Sequence, residues 1–368
     1  MKPDVDVAIL GGGCAGLSLA TRLAGSALST MVIEPRGSYS DDRTWSFWRT
    51  APDPFEDCVR ARWSRWTVDG PDGLTQRGSG RLWYETVSAG AFYQRAGDII
   101  DGARNLELRL SCAAQGASRQ GAGWRIETDA GALYAANLID TRPSGRKPRY
   151  GQFFLGQEIR TTRPVFTPDI VPLMHFRPAR SGGVDFLYIL PFAADHALVE
   201  VTSFAPVPPD TAVFQTWLHE EIEALDAGTV EVLRTERGAL PMQVGYGAPT
   251  PDGPVRLGLS GGAARPSTGY AFARIQKQAE RAAADLRAGQ TPRVMLDSPM
   301  TRFMDRVFLQ VLRSRPERGP ALFQALFHRV PADRLEMFLS GSTATRDRLA
   351  VMTALPTLPF MQAAVWPS

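Results

Sequence analysis

The chain has 368 residues, 44% hydrophobic and 21% charged; this make-up suits a folded protein with room for two lobes and excludes a disordered or fibrous chain. Its 41 Lys and Arg against 38 Asp and Glu leave a net charge of +3, too small to argue for a nucleic-acid partner. Cys14, Cys58 and Cys112 are odd in number and widely spaced, and His175, His196, His219 and His328 are dispersed, so neither a disulfide framework nor a metal site is expected.

Met1 to Asp6 is polar, and no stretch approaches the roughly 20 apolar residues of a spanning helix; a cytoplasmic location is expected. Val7 to Leu10 is a short apolar run that suits a buried parallel strand. Gly11, Gly13 and Gly16 follow in G-x-G-x-x-G spacing and open a predicted helix from Cys14 to Leu23, with Gly25 as its stop. Thr30 to Glu34 is the second strand, closed by Pro35. The first glycine permits the tight turn, the second lets the backbone approach a pyrophosphate, and the third lets helix and strand pack closely. The helix start at Cys14 and Ala15 offers N–H groups to the phosphates, and Glu34 stands where an acid takes the ribose hydroxyls.

From about 37 to 93 the pattern is less regular and holds five of the eight tryptophans, Trp45, Trp48, Trp63, Trp66 and Trp83. This predicts an inserted segment, 40–95, with its own apolar cluster. Strands are expected over Leu106–Leu110, Gly123–Thr128 and Ala136–Asp140. Residues 151–205 read as β-rich, with strands over Phe153–Glu158, Asp185–Leu190 and Ala197–Thr202 and a hairpin turn at Pro191–Asp195. Thr211–Leu225 is expected to be helical. A strand over Arg256–Ser260 leads through a glycine-rich turn into a helix from Tyr270 to about Arg287. The last seventy residues are mostly helical, with Pro320 and Pro331 suiting helix starts.

The late glycine cluster, SGGAARPSTGY at 260–270, decides between nucleotides. Flavoproteins of the glutathione-reductase and hydroxylase type return to the flavin late in the chain with such a strand–glycine–helix. A helix N-terminus there can stabilise negative charge on the ring. The expected fold is therefore α/β, an FAD-binding Rossmann-type domain with a β-rich substrate lobe and C-terminal helices. It divides into an FAD-binding first part at 1–150, the substrate lobe at 151–250, an FAD-binding return segment at 251–290 and helices at 291–368. Gly261, Gly262, Thr268, Gly269 and Tyr270 join the first glycines as cofactor candidates.

Several further segments carry a family likeness. RTWSF at 43–47 is similar to H-T-W-S-F, and FLGQE at 154–158 to F-x-G-x-E. YILPF at 188–192 with EVT at 200–202 is similar to a Y-x-L-P-F…E-[ED]-T hairpin. RGALP at 237–241, PSTGY at 266–270 and FLSG at 338–341 are similar to R-G-x-L-P, P-x-T-G-Y and F-x-x-G. In this order and spacing the chain resembles the flavin-dependent lycopene β-cyclases of carotenoid-producing bacteria. Two departures stand out. Val201 occupies the place of a second acid, which implies a one-acid site, and Arg265 precedes the proline where relatives often have His.

The resemblance implies a redox-neutral cyclisation of the ψ-ends of lycopene, or of a related linear carotene, to β-ionone rings, giving γ- and β-carotene in carotenoid biosynthesis. It further implies reduced FAD, with NAD(P)H as reductant, and a place at the membrane surface with other carotenoid enzymes as neighbours. An alkene is a very poor base, so its proton donor must be a neutral carboxylic acid, and burial keeps the proton on such a group. Glu200 is that candidate. It lies between Val199 and Val201 on a strand and so points opposite to both, toward solvent or toward a cleft. Trp45, Phe47, Trp83, Tyr84, Phe186 and Tyr188 are candidates to face a developing cation. Phe303, Phe308, Leu312, Phe323 and Phe327 with Arg302, Arg306, Arg313, Arg315 and Arg318 suit either a membrane-facing surface or helices packed on the core. Two other readings stay open. One is an NAD(P)H-consuming flavin monooxygenase of the hydroxylase type, although Gly262 stands where those enzymes carry the Asp of G-D-A-A. The other is an inactive carotenoid-binding flavoprotein.

Overall fold

The computed structural model describes residues 2–248, 252–293 and 297–365. The first βαβ unit forms as its pattern dictates. Strand β1 (Val5–Leu10) and strand β2 (Thr30–Ile33) are parallel, joined through helix α1 (Cys14–Leu23). Buried on both faces, β1 and β2 need apolar residues at nearly every position. Gly11 has φ +96° at the strand's end and Gly25 φ +70° after the helix, conformations that L side chains rarely adopt.

The chain then runs through β3 (Thr44–Trp48), β4 (Val59–Trp63), β5 (Arg65–Gly70), β6 (Gly73–Arg77), β7 (Tyr84–Ser88) and helix α2 (Ala89–Asp101). Strands β8 (Leu106–Arg109), β9 (Ala114–Gln120), β10 (Gly123–Thr128) and β11 (Gly131–Asp140) complete the nucleotide sheet, ordered β8-β2-β1-β11-β10-β9. A small sheet, β3-β7-β4, stands apart.

Strands β12 (Gly151–Thr161), β13 (Ile170–Phe176), β14 (Val184–Ala193) and β15 (His196–Ala205), helix α3 (Thr211–Glu223) and strand β16 (Val230–Pro241) build the second large sheet. Its order is β16-β12-β15-β14-β13-β5-β6. Alternation decides its two faces. Leu187, Ile189, Val199 and Val201 pack under α3 against Phe214, Trp217 and Leu218. Strand β17 (Val255–Arg256) pairs with β11 in the nucleotide sheet, and helix α4 (Phe272–Arg287) packs on α1. The opposite face of the second sheet meets the C-terminal helices, with a cavity lined by both. Those helices are α5 (Pro299–Ser314), α6 (Gly319–Arg329), α7 (Ala332–Leu339), α8 (Thr345–Ala354) and α9 (Thr357–Val365). No helix among the described residues is long and apolar enough to cross a membrane.

Two expectations need correction. The predicted strand over Arg256–Ser260 is only two residues long, because Gly258, at φ +71°, turns the chain into a short 3-10 segment over Gly258–Gly261. The 40–95 segment has no private core. Its β5 and β6 extend the second sheet, and Trp48, Trp63 and Trp66 join a cluster with Phe186, Leu198, Phe308 and Phe327, while Trp45 packs on Phe92 and Phe272. Of the two readings open for the C-terminal apolar residues, packing on the core holds for Phe308, Leu312, Phe323 and Phe327, which are buried in that cluster, while Phe303 is 46% exposed. The boundary expected at 250–251 lies outside the described residues.

Candidate active site

A single cavity of about 1470 Å³ runs from the glycine turn to the C-terminal helices. This exceeds the roughly 300–1,000 Å³ usual for one small ligand and leaves room for a dinucleotide and a long apolar molecule together.

The nucleotide end is built from backbone. A Cβ on Gly16 would lie 1.9 Å from the carbonyl oxygen of Gly11, so helix and strand can touch here only without a side chain. Gly13 has nothing within 4 Å of its Cβ position and borders the open cavity beside Cys14 and Ala15. Burial pushes the Cys14 thiol up to about 12, so no thiolate opposes a phosphate there. Glu34 is 4% exposed and accepts bonds from the Gly12 N–H (2.6 Å) and from Arg36 Nε (2.7 Å) and N–H (3.0 Å). Burial works against its charge, but these bonds outweigh it and hold the carboxyl below its ordinary range. Arg36, Arg43, Arg142, Arg146 and Lys147 line this end, a cationic wall suited to a pyrophosphate.

The late turn closes on the same space. Arg265 N–H donates to the Tyr270 carbonyl (3.0 Å), Gly269 N–H donates to the Arg265 carbonyl (2.9 Å), and Gly269 has φ +74°. Thr268 and Tyr270 line the cavity, and the buried Thr268 hydroxyl has no hydrogen-bond partner among the described residues. An orphaned hydroxyl on a residue that borders the same cavity as the pyrophosphate cradle fits a bound flavin nucleotide. Beneath the turn, Arg265 is 1% exposed, bonds the Phe338 carbonyl and faces Asp305 at 3.4 Å. Removing one partner of a buried pair strands the other charge. Arg265→Met is therefore expected to cost about 3 kcal/mol in chemical denaturation, most of it recovered when Asp305→Leu is added.

The far end is set by strand register. Across β14, β15, β12 and β16 the residues Tyr188, Glu200, Gly156 and Glu236 stand in one row. A neighbouring row is Phe186, Thr202, Phe154 and Gly238. Glu200 is 5% exposed, and its Oε1 accepts a hydrogen bond from the Thr202 hydroxyl at 2.7 Å. Burial, reinforced by the nearby Glu236, pushes its carboxyl up to about 8. Tyr84 and Tyr188 share a hydroxyl–hydroxyl bond of 3.0 Å. Burial raises both phenols and Tyr270 well above their usual range, so all stay neutral. The site thus combines a protonated carboxylic acid with aromatic faces in an apolar space, an arrangement able to protonate a weak base and stabilise a cation.

An ionic chain leads away from Glu200. Glu236 is bonded by Arg234 and by the Thr44 hydroxyl (2.9 Å). Arg234 continues to Glu158 at 2.7 Å, and Glu158 also meets Arg60 and His196, the latter at 2.7 Å. Burial opposes the charge on Glu158, but Arg60 and Arg234, with the His196 hydrogen bond, outweigh it and hold its carboxyl down at about 2.

Of the residues singled out by sequence, Gly11, Gly13, Cys14, Ala15, Glu34, Trp45, Tyr84, Phe186, Tyr188, Glu200, Thr268, Gly269 and Tyr270 border the cavity. Gly16 acts one layer back, as its packing requires. Four expectations change. Phe47 is buried against Phe272, away from the cavity. Trp83 is 44% exposed outside it. Gly261 and Gly262 shape the turn, pressed on the Arg256 and Tyr246 carbonyls, and do not border the cavity. The one-acid expectation also changes. The side chain of Val201 is directed under α3, so an acid at that position would sit in apolar core, while β16 brings Glu236 beside Glu200. Glu236 and Gly156 escaped sequence reasoning because only strand register joins them to Glu200.

A family model described as lycopene cyclase protein matches residues 6–365. The lycopene beta-cyclase of Paracoccus sp. (strain N81106 / MBIC 01143) is 27% identical, covering 96% of this chain and 95% of its own. A flavoprotein/dehydrogenase from Cytophaga hutchinsonii superposes with a TM-score of 0.63 at 16% identity, covering 98% of each chain. A halogenase mutant in complex with FAD gives 0.58 at 12% identity, covering 98% of this chain and 85% of that one. The fold is that of the FAD-binding flavoproteins, α/β with C-terminal helices.

Proposed function

The chain belongs to the lycopene cyclase family, and from this premise we propose that it closes the linear ends of lycopene, or of a related linear carotene, into β-ionone rings by acid catalysis without net redox change. The observation that carries this reading is Glu200, a carboxyl that stays protonated to about pH 8 inside an apolar cavity. Glu200 donates its proton to the terminal double bond of the substrate. The cation so formed is attacked by an internal double bond, which closes a six-membered ring, and loss of a ring proton leaves the new double bond. The faces of Tyr84, Tyr188 and Phe186 suit the passing cation, and the largely apolar lining offers few groups that could trap it.

Gly11, Gly13 and the N–H groups at Cys14 and Ala15 would hold the pyrophosphate of FAD, Glu34 its ribose, and Thr268 to Tyr270 the ring end. The reduced flavin, when bound, would supply negative charge and acid–base capacity. NAD(P)H is the proposed source of its electrons.

The substrate is a hydrocarbon that resides in a bilayer, and the outer part of the cavity is built to meet one. Val207, Phe303, Met352 and Met361 border it while being 65%, 46%, 53% and 60% exposed. Exposed Arg306, Arg313, Arg315 and Arg318 lie on or just after α5, where anionic headgroups would find them. A variant with all four apolar residues changed to Ser is expected to bind anionic vesicles at least about tenfold more weakly in flotation assays. Undiminished binding would remove this surface from the account. The function itself is tested by expression in a lycopene-accumulating bacterium. Isomeric cyclic carotenes are expected, and unchanged lycopene alone would contradict the reading.

A further inference from the structure

Glu200 and Glu236 stand on strands that flank β12, and the residue between them in the row is glycine. A Cβ at Gly156 would lie 3.2 Å from Glu200 Cβ and 3.4 Å from its Cγ. The bare backbone therefore lets Glu200 lie over β12, on the side of Glu236. The two carboxyls differ in what holds them. Glu200 has one hydroxyl partner, Thr202. Burial pushes the Glu236 carboxyl up as well, but Glu236 has acting against that rise the permanently cationic guanidinium of Arg234, itself fixed by Glu158, and the hydroxyl of Thr44. When two carboxyls share a low-dielectric site, the one bonded to a cation carries the charge and the other keeps the proton.

We propose that Glu236 is the positioning residue for Glu200: anchored by Arg234 and Thr44 across the bare backbone of Gly156, its fixed negative charge keeps the proton on Glu200 until an alkene takes it. This rests on Glu200 being the acid. The other groups around Glu200 do not replace Glu236. Tyr188 on β14, Tyr84 on β7 and Tyr270 in the late turn are neutral phenols, Thr202 on β15 favours the ionised form, and Arg234 acts against the proton. Asp41 approaches Arg234 only at 3.9 Å, farther out. The pair also accounts for Val201: the second carboxylate comes from β16, so the strand position after Glu200 is free to pack under α3.

The test uses the flavin-loaded enzyme and two readouts. One is the alkaline limb of kcat/KM for lycopene in detergent. The other is the infrared carbonyl band of a protonated carboxylic acid, assigned to Glu200 by its loss in Glu200→Gln. Glu236→Gln is expected to move both toward acid by about one pH unit, roughly a tenfold loss of rate above the limb. Glu236→Asp, which keeps the charge, is expected to restore the wild-type limb. Should Glu236→Gln fail to fold, Arg234→Met with Glu236→Met removes the ion pair as a whole and is expected to move both readouts the same way by less. An unmoved limb and band in a folded Glu236 variant would overturn the proposal while leaving Glu200 as the acid. A Glu200→Gln enzyme that keeps both the band and the activity would remove the underlying reading.

Discussion

Glu200→Gln is expected to lower the rate of cyclisation about a thousandfold or more while leaving flavin content and circular dichroism unchanged, because a primary amide of the same shape has no acidic proton to give. The size of the loss follows from the substrate. An alkene binds a proton so weakly that no water or phenol in the cavity can substitute for a carboxylic acid. The pH dependence follows from the same group. Wild-type activity should hold below about pH 8 and fall as pH rises through it, as Glu200 ionises. Stability has the same sign. The folded carboxyl binds its proton more tightly than the unfolded one, so wild-type stability declines between the ordinary carboxyl pKa of 4.5 and about 8. The Gln variant escapes that decline and is expected to melt higher than wild type near and above pH 8. A variant that turns over at the wild-type rate would remove Glu200 from the chemistry.

Gly13→Val is the second large effect, and it separates the cofactor from the fold. Most substitutions in a glycine turn damage the protein itself, as Gly16→Ala would by driving a methyl into the Gly11 carbonyl at 1.9 Å. Gly13 differs. Its φ of −80° and ψ of −170° are open to any residue, and its Cβ position has nothing within 4 Å. An isopropyl group there would project into the space where a pyrophosphate must approach the start of α1. The protein is expected to fold with unchanged far-ultraviolet circular dichroism yet bind FAD at least about a hundredfold more weakly, since backbone approach is the basis of the site. Flavin absorbance after purification, followed by titration with added FAD, measures it. Full flavin occupancy would mean that the phosphates lie elsewhere.

How much of this was legible in the sequence follows from the range of the interactions. The first βαβ unit could be read outright, because strand, turn, helix and acid all lie within Val5 to Glu34 and each is set by local rules. The β14–β15 hairpin could be read for the same reason, and with it the alternation that turns Glu200 away from Val199 and Val201. That Glu200 meets a cavity and not solvent depends on helices more than a hundred residues later. Glu236 is 36 positions from Glu200 and adjoins it only because both pair with Gly156 on β12. No periodicity encodes that register. The tryptophans misled for a related reason: their closeness in sequence suggested a private cluster, but Trp48, Trp63 and Trp66 share theirs with the second sheet and the C-terminal helices. Phe308, Leu312, Phe323 and Phe327 have a helical spacing that does not say what the apolar stripe meets, and it meets the second sheet.

Proton transfer from Glu200 with no net oxidation is read out by mass spectrometry of the product formed in heavy water. Protonation adds one deuterium from the exchanged acid for each ring, and ring closure then expels one of the substrate's own hydrogens. The expected product is isomeric with lycopene in ordinary water and heavier by one mass unit per ring in heavy water, with no such product from Glu200→Gln. A product that has gained oxygen, or one that has changed its hydrogen count in ordinary water, would contradict that transfer.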